Sequence, residues 1–385
     1  MLHEPSLPLP GPEALTHSAE LTRAIAAEIG RTGWIDFARY MELALYTPGL
    51  GYYAAGATKL GGAGDFVTAP ELSSLFSQTL ARQVAQLLAQ PSDEVIELGA
   101  GSGRMARDLL LALDNLELLP SQYSIVEISA ELRARQQETM LVLPDALRRR
   151  VRWLDALPPR ITGLVLANEV LDALPVHVVA WHDDTVMERG VTWDGRAFAW
   201  AERPLAAGPL LDRARALSPA PPYISEISLL VPALVRTLAC ALERGALLFM
   251  DYGFGSGEYY HPQRDRGTLM CHYRHRAHDD PFFLPGLQDI TSHVDFTSVA
   301  LAAVDAGLEL KGYTTQAHFL INAGVTDLLA RTSPDDSASY LPLAAQAQKL
   351  LSPAEMGELF KVIALSRGIE GELIGFRAGD RRGLL

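Results

Sequence analysis

The chain has 385 residues, of which 48% are hydrophobic and 21% charged, and its formal net charge is −13 at pH 7. This length is more than one small core needs, and the negative charge argues against general binding to nucleic acid or to anionic membranes. With two cysteines in all, a disulfide scaffold is excluded and a reducing compartment is indicated.

The beginning of the chain is rich in proline and acidic residues and lacks a basic segment followed by an apolar one. No run approaches the ~18 apolar residues that a membrane span needs. We therefore expect a cytoplasmic protein with no membrane contact.

The first 90 residues are predicted to be a helical extension. Its helices are predicted at 14–29, from a cap at Thr32 or Asp36 to Tyr46, and at about 71–90. A glycine-rich stretch, 49–64, lies before the last helix and is typical of a loop that can move.

From residue 91 onward, strands and helices alternate. Strands are predicted at 94–98, 123–127, 150–154, 163–168 and 246–251, with helices at 103–114, 129–140 and 228–243. Alternation of this kind predicts an α/β fold, with a mostly parallel sheet covered by helices on both faces. We assign this core to residues 91–320.

One segment interrupts the alternation, and another follows the last predicted strand of the core. Short strands at 176–181, 185–193 and 196–201 predict an inserted antiparallel meander over about 176–202. The polar segment 252–295 is too long for a plain connection, which suggests a functional loop or lid.

The end of the chain, 321–385, is predicted to be helical with a closing strand. Beyond the polar segment, helices are predicted at 297–306, 324–331, 338–350 and 353–366, and strands that complete the sheet antiparallel at 308–315 and 371–377.

A glycine turn links the first core strand to its helix, and its residues are Glu97-Leu98-Gly99-Ala100-Gly101-Ser102-Gly103. Such a turn lets a nucleotide-like ligand approach the backbone closely. Dinucleotide folds prefer Gly-x-Gly-x-x-Gly with a phosphate at the helix start, and here Glu97 disfavours a phosphate and favours a cation. S-adenosylmethionine carries a sulfonium and an ammonium group and no phosphate. The turn therefore indicates a class I methyltransferase with a Rossmann-like core.

Two further strand ends carry acidic residues. Glu127 lies at the distance along the chain at which a carboxylate accepts hydrogen bonds from the ribose hydroxyls. Asp155 follows the third strand, where it can receive the adenine amine or be a solvated strand end.

A polar cluster follows the apolar strand 163–168. Its members are Asn168, Glu169 and Asp172. Carboxylates hold a guanidinium fork through paired hydrogen bonds, so we predict Glu169 and Asp172 as the clamp for an arginine, with Asn168 orienting it through its amide. The alternative is that Asn168 and Asp172 cap a turn or helix.

The segment before the third helix is predicted to close over the cofactor or the substrate. Its candidate residues are Asp65, Phe66, Thr68 and Glu71. Thr68 or Ser73 can instead simply cap the helix. The stretch 271–278 contains cysteine and histidines, but its interleaved arginines repel a cation, so we predict no metal.

Several segments together resemble one family, the MidA-like methyltransferases, which include a mitochondrial complex I assembly factor that methylates a protein arginine. The segments are 46–53, 64–71, the glycine turn 97–103, 126–129, 167–176, 251–253 and 289–296. The resemblance implies an S-adenosylmethionine-dependent enzyme with a protein substrate that bears an arginine. It also draws attention to His293, either as a base or as a structural histidine in a turn.

Two other functions are compatible with the sequence. One is a nicotinamide-dependent oxidoreductase, against which the glycine spacing argues. The other is an assembly or chaperone-like module that keeps the methyltransferase fold without turnover. The sequence alone leaves arginine, lysine and histidine open as the methylated side chain.

Overall fold

A computed structural model of the protein describes residues 7–54 and 67–385. These residues form two compact units. One unit consists of the described residues up to 54 with Ala173–Val231 and Glu258–His293. The other consists of Val67–Asp172, Pro232–Gly257 and Val294–Leu385. We call them the insertion unit and the core unit.

The described helices and strands are numbered in chain order. The helices are α1 (Pro12–Thr32), α2 (Phe37–Tyr46), α3 (Ala69–Leu72), α4 (Ser74–Leu87), α5 (Arg104–Asn115), α6 (Ala130–Met140), α7 (Asp145–Arg148), α8 (Pro209–Leu217), α9 (Leu230–Ala241), α10 (Ser256–Tyr259), α11 (Phe296–Asp305), α12 (Gln316–Asn322), α13 (Val325–Leu329), α14 (Ser337–Leu351) and α15 (Met356–Leu359). The strands are β1 (Ile35–Asp36), β2 (Glu94–Leu98), β3 (Tyr123–Val126), β4 (Val151–Leu154), β5 (Ile161–Asn168), β6 (His177–Trp181), β7 (Val186–Trp193), β8 (Phe198–Pro204), β9 (Tyr223–Ile227), β10 (Leu242–Phe254), β11 (Met270–Tyr273), β12 (Arg276–His278), β13 (Asp289–Thr291), β14 (Val294–Asp295), β15 (Glu309–Thr315) and β16 (Phe360–Arg367).

The core unit is built on a sheet with strand order β15-β16-β10-β5-β2-β3-β4. Strands β10, β5, β2, β3 and β4 run parallel to one another, and β16 runs antiparallel to both of its neighbours. This confirms the predicted mostly parallel sheet. The carboxyl ends of the five parallel strands therefore lie along one edge of the sheet, where such folds bind ligands.

Helix α5 shows why the sequence forms this layer. Its apolar residues recur every four positions, and Met105, Leu109 and Leu113 are all buried. Residues at this spacing share one face of a helix, which here packs into the apolar core together with α4.

Two predictions at the end of the chain are wrong. The predicted helix 353–366 is the short helix α15 followed by the strand β16, and the predicted strand 371–377 contains a 3-10 helix, Ile374–Phe376. The run from Phe360 to Leu365 is entirely buried. A short buried run of this kind has no alternation of polar residues that would distinguish a strand from a helix.

The N-terminal helices begin at identifiable caps. Asp36 accepts a hydrogen bond from the backbone N–H of Arg39 (2.8 Å) at the start of α2, so it, and not Thr32, is the cap. The predicted helix 71–90 is divided at Ser73, whose hydroxyl accepts the N–H of Leu75 and begins α4.

The insertion unit contains the predicted meander, extended by two strands. Strands β6, β7 and β8 are antiparallel, and β1 and β9 pair with β7 and β6. Most of the polar segment 252–295 lies in this unit and forms a second antiparallel sheet of β12, β11 and β13. Across the described residues, every helix is too short or too polar to cross a bilayer.

Candidate active site

The glycine turn joins β2 to α5 at the carboxyl edge of the core sheet. Gly99, Gly101 and Gly103 have φ angles of 60°, 55° and 83°, in the left-handed region that favours glycine. A Cβ atom on Gly99 would lie 2.9 Å from Cγ2 of Val170, so this turn packs directly against the residues that follow β5. The three glycines thus have the conformational role that their spacing predicts.

Glu97 lies at the end of β2 and is buried. Its Oε2 accepts a hydrogen bond from the Tyr123 hydroxyl (2.6 Å) on β3. Burial raises the pKa of Glu97 to about 7, which the Tyr123 hydrogen bond opposes and the nearby Glu127 reinforces. The position is therefore suited to a cationic partner, because such a partner would favour the ionised carboxylate.

Glu127 follows β3 and is also buried. Its Oε1 accepts the backbone N–H of Ser129 (2.8 Å) and its Oε2 accepts the side-chain amide of Gln136 (2.9 Å). Burial raises the pKa of this carboxyl, and these two hydrogen bonds oppose the shift. The backbone N–H of Ile128 opposes the shift as well, and a carboxylate has about four acceptor sites, so capacity for a ligand hydroxyl remains.

Gln136 links three parts of this site, although the sequence analysis did not single it out. Its Nε2 donates to Glu127 and to the carbonyl oxygen of Gly101 (3.0 Å), and its Oε1 accepts the indole N–H of Trp153 (2.9 Å). Gln136 and Met140 are four positions apart on the buried face of α6. A glutamine at an inward-facing helical position is the signal that could have revealed it.

Asp155 is placed at the surface. Its carboxylate forms an ion pair with Arg133 (2.6 Å), and Arg133 also donates to the carbonyl oxygen of Glu127 (2.9 Å). Asp155 is thus tied through Arg133 to the end of β3, and its role toward the adenine amine stays a prediction.

The predicted clamp residues lie together at the end of β5. Glu169 has a φ of 54°, an uncommon conformation for this residue type, and its N–H donates to the carbonyl oxygen of Met250 (2.9 Å). The Asn168 amide donates to the Glu169 carboxylate (3.1 Å). Asp172 is buried and accepts a hydrogen bond from the Tyr252 hydroxyl.

Asp251, in the part of β10 that faces the turn and three residues before its end, completes this acidic cluster. It is buried, and its Oδ2 accepts the backbone N–H groups of Val170 (3.1 Å), Leu171 (2.9 Å) and Asp172 (3.3 Å). Burial, followed by the charges of Asp172 and Glu169, raises the pKa of Asp251 well above its usual range. The signal for this residue is that the predicted strand 246–251 ends at it, although the observed strand continues to Phe254.

Of the predicted lid residues, Glu71 contacts the glycine turn. Its carboxylate accepts hydrogen bonds from the Ser102 hydroxyl and from Arg104 (3.1 Å). Thr68 precedes α3 but makes no side-chain cap there, whereas Ser73 caps α4. Asp65 and Phe66 lie outside the described residues.

His293 belongs to the insertion unit. Its backbone N–H donates to the Thr268 hydroxyl (3.1 Å), which is consistent with a histidine in a structured turn. Its role as a base stays a prediction.

A group of potential metal ligands lies elsewhere in the insertion unit, at Asp36, His177 and Glu188. The imidazole Nδ1 of His177 is 2.7 Å from the Glu188 carboxylate, and Asp36 caps α2. These groups already have hydrogen-bond partners within the protein.

Comparison of the chain with known proteins assigns it to a family. Residues 79–314 match a protein family described as "Putative S-adenosyl-L-methionine-dependent methyltransferase". The chain belongs to this methyltransferase family.

Solved and curated relatives agree with this assignment. A crystal structure of a Burkholderia thailandensis protein bound to S-adenosyl-homocysteine has 54% sequence identity and a TM-score of 0.95, and the match covers 99% of this chain and 100% of that one. A Drosophila melanogaster protein named protein arginine methyltransferase NDUFAF7 homolog, mitochondrial, is 30% identical over 91% of this chain and 85% of its own length. The Danio rerio NDUFAF7 protein is 28% identical over 90% and 86%.

The resemblance to MidA-like methyltransferases, the Rossmann-like class I fold and the enzyme class are therefore confirmed. The family assignment favours a methyltransferase over the alternative of a nicotinamide-dependent oxidoreductase.

Replacement of the central glycine tests the turn. In Gly101→Val, a β-branched side chain is forced to φ 55°, at a cost of about 1–2 kcal/mol or more, or else the turn rearranges. We expect the affinity for S-adenosylmethionine, measured by calorimetry, to fall about 100-fold or more, a loss of about 2.8 kcal/mol.

The matched control is Gly195→Val, which places valine at φ 97° in the β7–β8 hairpin. This variant should be destabilised in a thermal melt yet bind the cofactor normally. Normal binding by Gly101→Val would contradict the assigned role of the turn.

The pKa of Glu97 predicts a pH-dependent affinity. With a pKa of about 7, the carboxyl is mostly protonated at acidic pH and must lose its proton before it can pair with a cation. We expect S-adenosylmethionine to bind about tenfold or more weakly at a pH about 1.5 units below this pKa than at pH values just above it.

Calorimetry in buffers of different ionisation enthalpy should detect the released proton, and Glu97→Gln should remove most of the dependence. An affinity that is constant across this pH range in the wild-type protein would rule out Glu97 as the cation's partner.

Proposed function

We propose that this methyltransferase transfers a methyl group from S-adenosylmethionine to an arginine side chain of a protein. The observation that carries the proposal is the acidic cluster of Glu169, Asp172 and Asp251, which directly adjoins the glycine turn in the core unit. A cluster of carboxylates in a buried setting favours a substrate that brings positive charge.

The residues around the turn fit the cofactor. Glu97 directly precedes the turn glycines, and Glu127 is connected to Gly101 through Gln136. Both are buried acidic groups, which suits an ammonium group and ribose hydroxyls and is unfavourable for a pyrophosphate. The Burkholderia thailandensis relative bound to S-adenosyl-homocysteine supports S-adenosylmethionine as the cofactor. We assign cofactor binding to Glu97, Gly99, Gly101, Gly103 and Glu127.

The residues at the end of β5 fit a guanidinium group. When bound, the cofactor supplies a methyl group made electrophilic by the sulfonium. Glu169 and Asp172 hold the planar fork through charge-assisted hydrogen bonds, while Asn168 orients the Glu169 carboxylate. Glu169 would take the proton that the nitrogen loses as its new bond to the methyl carbon forms and the carbon–sulfur bond breaks. The relatives named as protein arginine methyltransferases support arginine as the acceptor.

Identification of the methylated residue tests the proposal. The purified protein would be incubated with isotopically labelled S-adenosylmethionine and proteins from cells that lack it, with Gly101→Val as the matched negative control. We expect labelled ω-N-methylarginine by mass spectrometry of hydrolysates and peptides. Label on lysine or histidine alone, or equal labelling by Gly101→Val, would refute arginine methylation.

A second test separates the clamp from cofactor binding. Glu169→Gln keeps the shape of the side chain but removes its charge and its ability to accept the proton. We expect kcat to fall about 100-fold or more while the affinity for S-adenosyl-homocysteine changes little.

Asp184→Asn, in the exposed β6–β7 turn, is the matched control for removal of a carboxylate. It should retain full activity. If Glu169→Gln also retains full activity, Glu169 neither holds the guanidinium nor accepts its proton.

A further inference from the structure

A turn of four residues carries the proposed clamp, and β10 holds it at three successive positions. The carbonyl oxygen of Met250 accepts the N–H of Glu169, the Asp251 carboxylate accepts the next amides, and the Tyr252 hydroxyl donates to Asp172. Each residue from 250 to 252 thus contacts the turn through a different chemical group.

The Asp251 contact has the geometry of an anion site. Three successive backbone N–H groups, from Val170, Leu171 and Asp172, point at the single oxygen Oδ2. Successive amides arranged in this way form a concave nest that binds anions. Here the anion is a buried side chain of the protein itself, and its Oδ1 accepts the N–H of Tyr252 (2.9 Å).

The turn needs such support because Glu169 is strained. A left-handed φ of 54° costs about 1–2 kcal/mol for a residue with a Cβ atom, and it persists only when the surroundings determine it. The left-handed conformation determines the direction in which the Glu169 side chain leaves the backbone. Asp251 stabilises that conformation because it accepts hydrogen bonds from the next three backbone amides.

We propose that Asp251 is a positioning residue for methyl transfer, whose carboxylate binds the amide nest of residues 170–172 and holds Glu169 and Asp172 in their catalytic arrangement. This inference rests on the proposed function of the clamp. Asp251 acts through the turn and does not touch the substrate.

The decisive variant is Asp251→Asn, which keeps the size of the side chain but has only one acceptor oxygen, so that it cannot accept both the amides of residues 170–172 and the N–H of Tyr252. We expect kcat to fall about 30-fold or more, with little change in the affinity for S-adenosyl-homocysteine. Hydrogen exchange measured by mass spectrometry should accelerate in peptides that contain residues 169–172, and not elsewhere in the core unit.

Glu226→Gln provides the matched control. Glu226 is another buried carboxylate that accepts two backbone amides, from Thr268 (2.9 Å) and Leu269 (3.2 Å), but it lies in the insertion unit. We expect this variant to lose stability without the fall in kcat and without faster exchange at 169–172.

The outcomes separate the two proposals. If wild-type protein methylates no arginine, the proposed function fails. Hydrogen exchange in Asp251→Asn still tests whether Asp251 holds the turn of residues 169–172. Unchanged kcat and unchanged exchange, or a general loss of cofactor binding and of core protection, would overturn the positioning role. Should Asp251→Asn fail to fold, Tyr252→Phe is the second variant, because it removes the hydroxyl that is bonded to Asp172. Wild-type kcat in that variant would overturn the inference that β10 holds the turn in its catalytic arrangement.

Discussion

Among the residues that the structure describes, four acidic side chains are buried at the carboxyl edge of the core sheet, and the protein must supply each of them with hydrogen-bond donors. They are Glu97, Glu127, Asp172 and Asp251, all at most 6% exposed. Ionised carboxylates are costly to bury, so this arrangement is stable only if hydrogen-bond donors are held around each of them. The positions of the neighbouring side chains and backbone amides meet that requirement.

The donors come from elements that are far apart in the sequence. Tyrosine hydroxyls serve Glu97 and Asp172, an amide from α6 serves Glu127, and backbone N–H groups of the turn after β5 serve Asp251. None of these donors carries a positive charge. The pKa values of Glu97, Glu127 and Asp251 are therefore all raised by burial, and the edge as a whole favours ligands that bring positive charge.

The glycine turn and the polar residues at the strand ends were predictable because they are local patterns in the sequence. The turn at Gly99, Gly101 and Gly103 needs a backbone conformation that glycine adopts readily, so its spacing is visible in the sequence. The apolar strand that ends in Asn168 likewise predicted polar groups at the edge of the sheet. The pairing of β16 with β10 and β15 was not visible, because a buried apolar strand at the end of the chain resembles a helix in sequence.

The sequence by itself determined the α/β core, the glycine turn, the family and the identity of the acidic residues at the strand ends. Only the tertiary structure decided how those acids are held. Gln136 donates a hydrogen bond to Glu127 and Tyr123 donates one to Glu97, while the backbone amides of the turn donate to Asp251. The reason is that a motif records which residues stand next to one another in the chain, whereas the donors that stabilise a buried charge are selected by distance in space.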